Sequence, residues 1–242
     1  MPKDTMEVTL GDRKFLVIDL TQPLRLDVEV YPGDPKPTRK IFSDIHETGW
    51  QHYTHEIGDH NFQPHGDGPN HQNKEAQDRG IDSFGIEYLF NKAILIDLSS
   101  LSEVQDFGGI SYLVEVKKKD IEKYSKQLSQ IGALIIRTGY DLWLEKNRPH
   151  NPKNLPYLNK EAANYLASFP NIKVVGIDSL TVDPVGSHDS HQALKEKFIV
   201  ESLVHLHEIP SESRLNFNLQ TTPLRIKGAT GGPVIANAFI KI

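Results

Sequence analysis

The sequence predicts an α/β domain built on a partly parallel sheet. Short apolar runs that read as buried strands alternate with helical stretches through the middle of the chain. No internal repeat, low-complexity tract or clear linker breaks that alternation across the 242 residues, so residues 1–242 are expected to form one domain.

The elements follow in order. Lys14 to Leu20 is short and apolar and stops at Gln22-Pro23, which reads as a buried strand. Tyr31-Pro32-Gly33-Asp34-Pro35 is turn chemistry, since proline fixes φ and glycine supplies a positive one. Residues 41–75 are polar and lack helical periodicity. Ala93–Leu98 is a second strand. Val116 to Ile131 places Ile121, Tyr124, Leu128 and Ile131 at three- and four-residue spacing, an amphipathic helix. Ala133–Thr138 is the next strand, and Asn159–Ser168 a helix capped by Asn159. Lys173–Asp178 is a strand, Ser190–Lys197 a short helix, Phe198–Val204 a strand and Pro233–Ile242 the last. The polar stretch 145–156 reads as a surface excursion.

Composition excludes several functions. There is no cysteine, which removes disulfides, thiolate catalysis and cysteine-type zinc sites. A formal net charge of −5 argues against a dedicated nucleic-acid or polybasic membrane-surface protein. No run reaches the roughly 18 apolar residues of a membrane span, and the first residues carry no signal-peptide pattern. A cytoplasmic protein is the expectation. Histidine stands out: six of the 11 fall between His46 and His71.

Within that stretch, His65, Asp67 and His71 share parity with Asn61. An extended chain would point all four to one side. Imidazole with carboxylate and no thiolate suits zinc, manganese or ferrous iron. A histidine-rich surface loop would read the same way. A second cluster is Ser187-His188-Asp189-Ser190-His191, with Glu201 ten residues beyond His191 on an apolar strand. A carboxylate there is costly unless paired or coordinated, although an edge strand would leave it in solvent. Asp178 and Asp183 follow a strand, where catalytic groups and turn caps both occur. Arg137 follows a strand, a position from which it would reach a cleft; His205 and His207 read as a strand end in solvent. The glycine-rich 228–233 lacks the lysine and helix of a phosphate loop, and no Gly-x-Ser-x-Gly elbow is present.

Taken together, Ile18-Asp19-Leu20-Thr21-Gln22-Pro23, the Tyr31–Pro35 turn, His65-Gly66-Asp67-Gly68-Pro69-Asn70-His71, Ile135–Gly139, Val175–Leu180, His191–Leu194, Glu201 and Pro223–Gly228 resemble the cyclase family of metal-dependent hydrolases. That family includes bacterial kynurenine formamidase and isatin hydrolase. The resemblance implies a mixed-sheet α/β domain of the swivelling β/β/α type, usually a homodimer or homotetramer. Its signature, His-x-Gly-Thr-His-x-Asp-x-Pro-x-His, places metal ligands at Asn61, His65 and Asp67, and a proton-handling role at His71. His191 and Glu201 match the later ligand pair, and Tyr31 a substrate-lining aromatic residue. Here Asn61 stands where the family has its first histidine, and Gln63-Pro64 where it has Gly-Thr. His60 is adjacent, but one step along an extended chain sends it to the opposite face unless the backbone bulges.

The implied function is hydrolysis of a formamide or cyclic amide by water activated on a divalent metal, zinc or manganese. Asn61 leaves a second reading: a non-catalytic relative binding a small molecule in a degenerate metal site. Tyr31, Trp50 and Phe62 would suit an aromatic substrate and would equally suit a core.

Overall fold

The computed structural model describes residues 4–61, 63–105 and 108–242. Its main sheet has strands β1 (Thr5–Leu10), β2 (Arg13–Asp19), β5 (His65–Asp67), β6 (Phe90–Asp97), β7 (Ala133–Arg137), β8 (Val174–Ile177), β9 (Phe198–Glu201), β10 (Phe217–Pro223) and β11 (Gly231–Lys241). Two further strands, β3 (Thr38–Ser43) and β4 (His52–Glu56), form a separate hairpin. Strands β6 to β9 run parallel to one another. Antiparallel β10, β11 and β5 complete the circuit, because β11 pairs with both β10 and β5. The result is a closed ring of mixed direction, with the β1–β2 hairpin added along β11.

Period-two alternation fixes what each face of the ring carries. Ala93, Leu95, Ala133, Ile135, Val174, Phe198 and Val200 fill the inside with Phe217, Leu219 and Val234. Their neighbours Ile94, Ile96, Leu134, Ile136, Val175, Ile177 and Ile199 face outward. Helix α2 (Lys160–Ala167) covers them with Ala162, Ala163 and Leu166, and helix α3 (Asp189–Leu194) with Leu194. Asn159 caps α2 as expected, its side chain accepting the Ala162 N–H at 2.9 Å.

Two expectations change. The stretch 116–131 is not one helix but two helical turns, Lys118–Ile121 and Ser125–Leu128, joined by a tighter turn. Its apolar face is nonetheless buried where the spacing put it, through Ile121, Leu128 and Ile131. The polar stretch after residue 41 contains the β3–β4 hairpin. That hairpin is exposed along almost its whole length and carries an aromatic group of Phe42, Trp50 and His52.

A candidate metal centre

Strand β5 is three residues long and lies between β9 and β11. Gly66 points into the ring. A Cβ there would meet the Phe198 ring at 2.4 Å, so only glycine seats this strand. His65 and Asp67 therefore both face outward, as parity predicted. Register places Glu201 opposite His65, and His65 Nε2 lies 3.1 Å from Glu201 Oε2. Beyond β5 the chain reverses through a turn closed by His71 N–H to Gly68 C=O, 3.0 Å, which returns His71 to the same spot.

Helix α3 brings in His191. Its start is held by Asp183, which accepts the N–H groups of Ser190 at 2.7 Å and His191 at 3.1 Å. Asp183 also takes the ring Nδ1 of His191 at 2.6 Å. His191 Nε2 then lies 3.0 Å from Asp67 Oδ2 and 3.5 Å from Glu201 Oε1. Glu201 is fixed from behind by the Val182 N–H at 2.6 Å. The carboxylate expected to need a partner is buried and has several.

Asn61 and His60 overturn the parity argument. The chain is not extended before β5; residues 58–61 form a turn, with Asn61 N–H to Gly58 C=O at 3.1 Å. The Asn61 side chain closes that turn, its Oδ1 accepting the Gly58 N–H at 2.8 Å. Asp59 anchors the turn to Thr230, through the backbone N–H and hydroxyl, both at 2.9 Å. This geometry swings His60 into the cluster: Nδ1 is 3.2 Å from Asp67 Oδ1, and its ring centre 4.1 Å from that of His71. Glycine at 231, opposite Asp67, makes the room, since a Cβ there would lie 2.5 Å from His60 Cε1. Parity leaves His60 out of the set, and the pattern of 228–233 gives no sign that Gly231 serves this site.

Two groups of three ligand atoms thus come together, His60–His65–Asp67 and Asp67–His71–His191, each within 4.8 Å. Asp67 Oδ1 is buried and accepts no well-directed hydrogen bond, an arrangement a cation would relieve. The donor set, imidazoles with carboxylates, is the one zinc and manganese take. Burial pushes the Asp67 carboxyl up, but His71, His191 and His60 outweigh it and hold it well below the usual range. Burial pushes Glu201 up, reinforced by the charge of Asp67. Burial also lowers His71, to about 4, so its imidazole is neutral at pH 7.

A cavity of about 230 Å³ opens onto this cluster, lined also by Tyr31, Asp34, Leu180, Thr181, Ser187 and His188. Tyr31, the aromatic residue the resemblance singled out, is one of the residues lining this cavity. Trp50 is on the β3–β4 hairpin instead, and Phe62 lies outside the described residues. Arg137 does not line this cavity. It is buried between Asp97 at 2.9 Å and Asp141 at 3.1 Å. Asp178 accepts the N–H groups of Thr138 and Gly139, a turn-holding role. His205 Nδ1 donates to the Asp19 carbonyl, and His207 Nδ1 donates to the Asp141 carboxylate. The Asp141–Glu145–His207 group also has metal-like spacing, but Arg137 already neutralises Asp141.

The Cyclase family model matches residues 18–184 of this chain. Kynurenine formamidase of Bacillus thuringiensis (strain Al Hakam) is 25% identical over 223 residues, covering 90% of this chain and 95% of the relative. Kynurenine formamidase of Bacillus anthracis gives the same figures, 25% over 223 residues. Among solved structures, an isatin hydrolase bound to the product analogue thioisatinate superposes with a TM-score of 0.77 at 20% identity. It covers 93% of this chain and 92% of its own. Isatin hydrolase A from Labrenzia aggregata gives 0.74 at 20% identity, with 93% and 94% covered. The swivelling mixed-sheet fold expected from sequence is the one these structures share.

Proposed function

We propose that the chain, which belongs to the cyclase family, is a metal-dependent amidohydrolase that cleaves a formamide or a cyclic amide. The observation carrying this reading is the gathering of His60, His65, His71 and His191 around buried Asp67, whose Oδ1 lacks a well-directed donor, with Glu201 against His65 and His191. His60, His65 and Asp67 hold the ion, zinc or manganese, and His191 and Glu201 offer a second position sharing Asp67. Asn61 has no part in binding it. When bound, the ion supplies a Lewis acid that polarises the amide carbonyl and activates water.

The chain's own residues do the rest. Neutral His71, its ring centre 5.5 Å from that of His191, is placed to receive a proton from the attacking water and pass it to the leaving nitrogen. Tyr31 and Leu180 give the cavity wall an apolar surface for the body of a small amide. The relatives are named for kynurenine formamidase and isatin hydrolase activity, which suggests a formamide or a cyclic amide of that kind as substrate. The test is hydrolysis of N-formylkynurenine and of isatin by protein purified without a tag, before and after chelation. The expected result is hydrolysis of one of them, lost on chelation and restored by Zn²⁺ or Mn²⁺. Metal-replete protein that cleaves neither would favour the non-catalytic binding reading. That reading rests on Asn61, Gln63 and Pro64; the approach of His60 Nδ1 to Asp67 Oδ1 at 3.2 Å supports the catalytic one.

No described helix is long and apolar enough to cross a membrane, and the working location is the cytoplasm. Residues 1–242 act as one domain. The protein works as a homodimer or homotetramer, and the β3–β4 hairpin is the surface that favours this. Phe42 and Trp50 are 65% and 51% exposed, and an isolated two-stranded hairpin is marginal in water without cover. Light scattering on the purified protein, with Phe42→Ser alongside, tests the assembly.

A further inference from the structure

Asp183 makes no approach to the cation position, yet it controls the ring that does. We propose that Asp183 is a positioning residue: it fixes which nitrogen of His191 faces the metal. This rests on the metal-centre reading above.

The geometry separates the two jobs of the carboxylate. Oδ1 accepts the Ser190 N–H at 2.7 Å and helps begin helix α3. Oδ2 accepts the His191 N–H at 3.1 Å and faces His191 Nδ1 at 2.6 Å. A carboxylate that close to Nδ1 keeps the proton there. Nε2 is aimed at the gap between Asp67 Oδ2 and Glu201 Oε1, and a cation bound there would meet its lone pair. The contact also makes Nε2 a stronger donor to a cation and stops the ring from flipping. Asp183 is 3% exposed, so water cannot substitute for it at Nδ1. The preceding residue works in parallel: Val182 N–H holds Glu201 Oε1 at 2.6 Å, so the two-residue stretch 182–183 sets both later ligands.

A structural role alone would be shared with Ser190, whose hydroxyl ties the same helix start to the Leu158 carbonyl at 2.8 Å. The experiment therefore compares Asp183→Asn with Ser190→Ala. Both are titrated with Zn²⁺, and with Co²⁺ as a visible-absorption probe of coordination, and thermal melts are run alongside. Asp183→Asn is expected to weaken metal binding about 10- to 100-fold and to change the Co²⁺ spectrum. Ser190→Ala is expected to lower the melting temperature while keeping affinity within about threefold, the scatter of such titrations.

The proposal falls if Asp183→Asn binds like wild type, or if Ser190→Ala weakens binding equally. Nitrogen NMR of the His191 imidazole in metal-loaded wild type needs no variant. It should show Nδ1 protonated and Nε2 on the metal, and the reverse would overturn the assignment. Wild type that takes up neither ion sinks the metal centre and this role together. Wild type that binds normally beside an unaffected Asp183→Asn sinks only the role.

Discussion

His60 Nδ1 sits 3.2 Å from Asp67 Oδ1 while its neighbour Asn61 is turned away to the Gly58 N–H. Which of the two heads the ligand set follows from that exchange. His60→Ala should cost about 100-fold or more in Zn²⁺ affinity, since removing even an outer partner of a ligand costs 10- to 100-fold. Asn61→His should not tighten zinc, because residue 61 faces the turn. Titration of both variants checks this. Tighter binding by Asn61→His with unchanged His60→Ala would restore Asn61 as the ligand position.

Gly231 gives an independent route to the same conclusion. A methyl group at 231 would lie 2.5 Å from His60 Cε1 and 2.9 Å from the Gly66 carbonyl oxygen. Gly231→Ala should displace His60 and reproduce the affinity loss of His60→Ala. Overpacking should also cost about 1–3 kcal/mol of stability. At Gly232 an added Cβ meets its nearest neighbour, the Leu224 carbonyl, at 3.2 Å, so Gly232→Ala is the matched control. If Gly231→Ala binds metal as wild type does, His60 is not held where described.

The contrast between His65 and His60 shows how far the sequence could be read. Strands β6 to β9 were legible because they are short apolar runs, and Glu201 was legible because a carboxylate in such a run needs a partner. His65 and Asp67 were legible because β5 is truly extended, so parity holds there. His60 was not, because parity was carried back through Gly58-Asp59-His60-Asn61, which is a turn. Its composition, glycine with aspartate and asparagine, was the available warning. Gly231 is hidden differently: the glycines of 228–232 suggest a backbone loop around a ligand, whereas one of them serves as a space for a distant ring. Asp183 looked like a turn cap, and half of its hydrogen bonding is that.

His71 is proposed to move protons and not to hold the ion. His71→Asn should lower kcat by about 10²- to 10⁴-fold, the range general acid–base groups supply, with metal content close to that of wild type. Metal analysis beside single-turnover kinetics separates the roles. Loss of metal on changing His71 would move it into the ligand set, where its spacing to Asp67 and His191 would also allow it.

A pH-dependent prediction comes from outside the site, where His207 joins helix α1 (Asp141–Glu145) to the turn after β9. His207 Nδ1 lies 3.1 Å from Asp141 Oδ2 and 3.5 Å from Glu145 Oε1, and Nε2 is 3.2 Å from Glu208 Oε1. The hydrogen bond to Asp141 raises the imidazole above its ordinary value of 6.5, against the pull of burial. Burial would raise Asp141, but His207 and Arg137 outweigh it and hold it low. A raised histidine contributes its full stabilisation below the unfolded value and loses it as pH climbs through the folded one. A lowered carboxylate contributes above its unfolded value, and loses it on acidification. The pair therefore stabilises most on the acid side of neutrality, above the carboxylate range. Stability should decline from pH 6 toward pH 9 by about 1 kcal/mol for a partly exposed pair, or ~2–4 °C in a chain of this size. His207→Gln should flatten that decline, and His46→Gln, on the exposed hairpin, should leave it intact. Melting curves across the range decide it: a His207→Gln slope equal to that of wild type would remove this clasp from the stability of the fold.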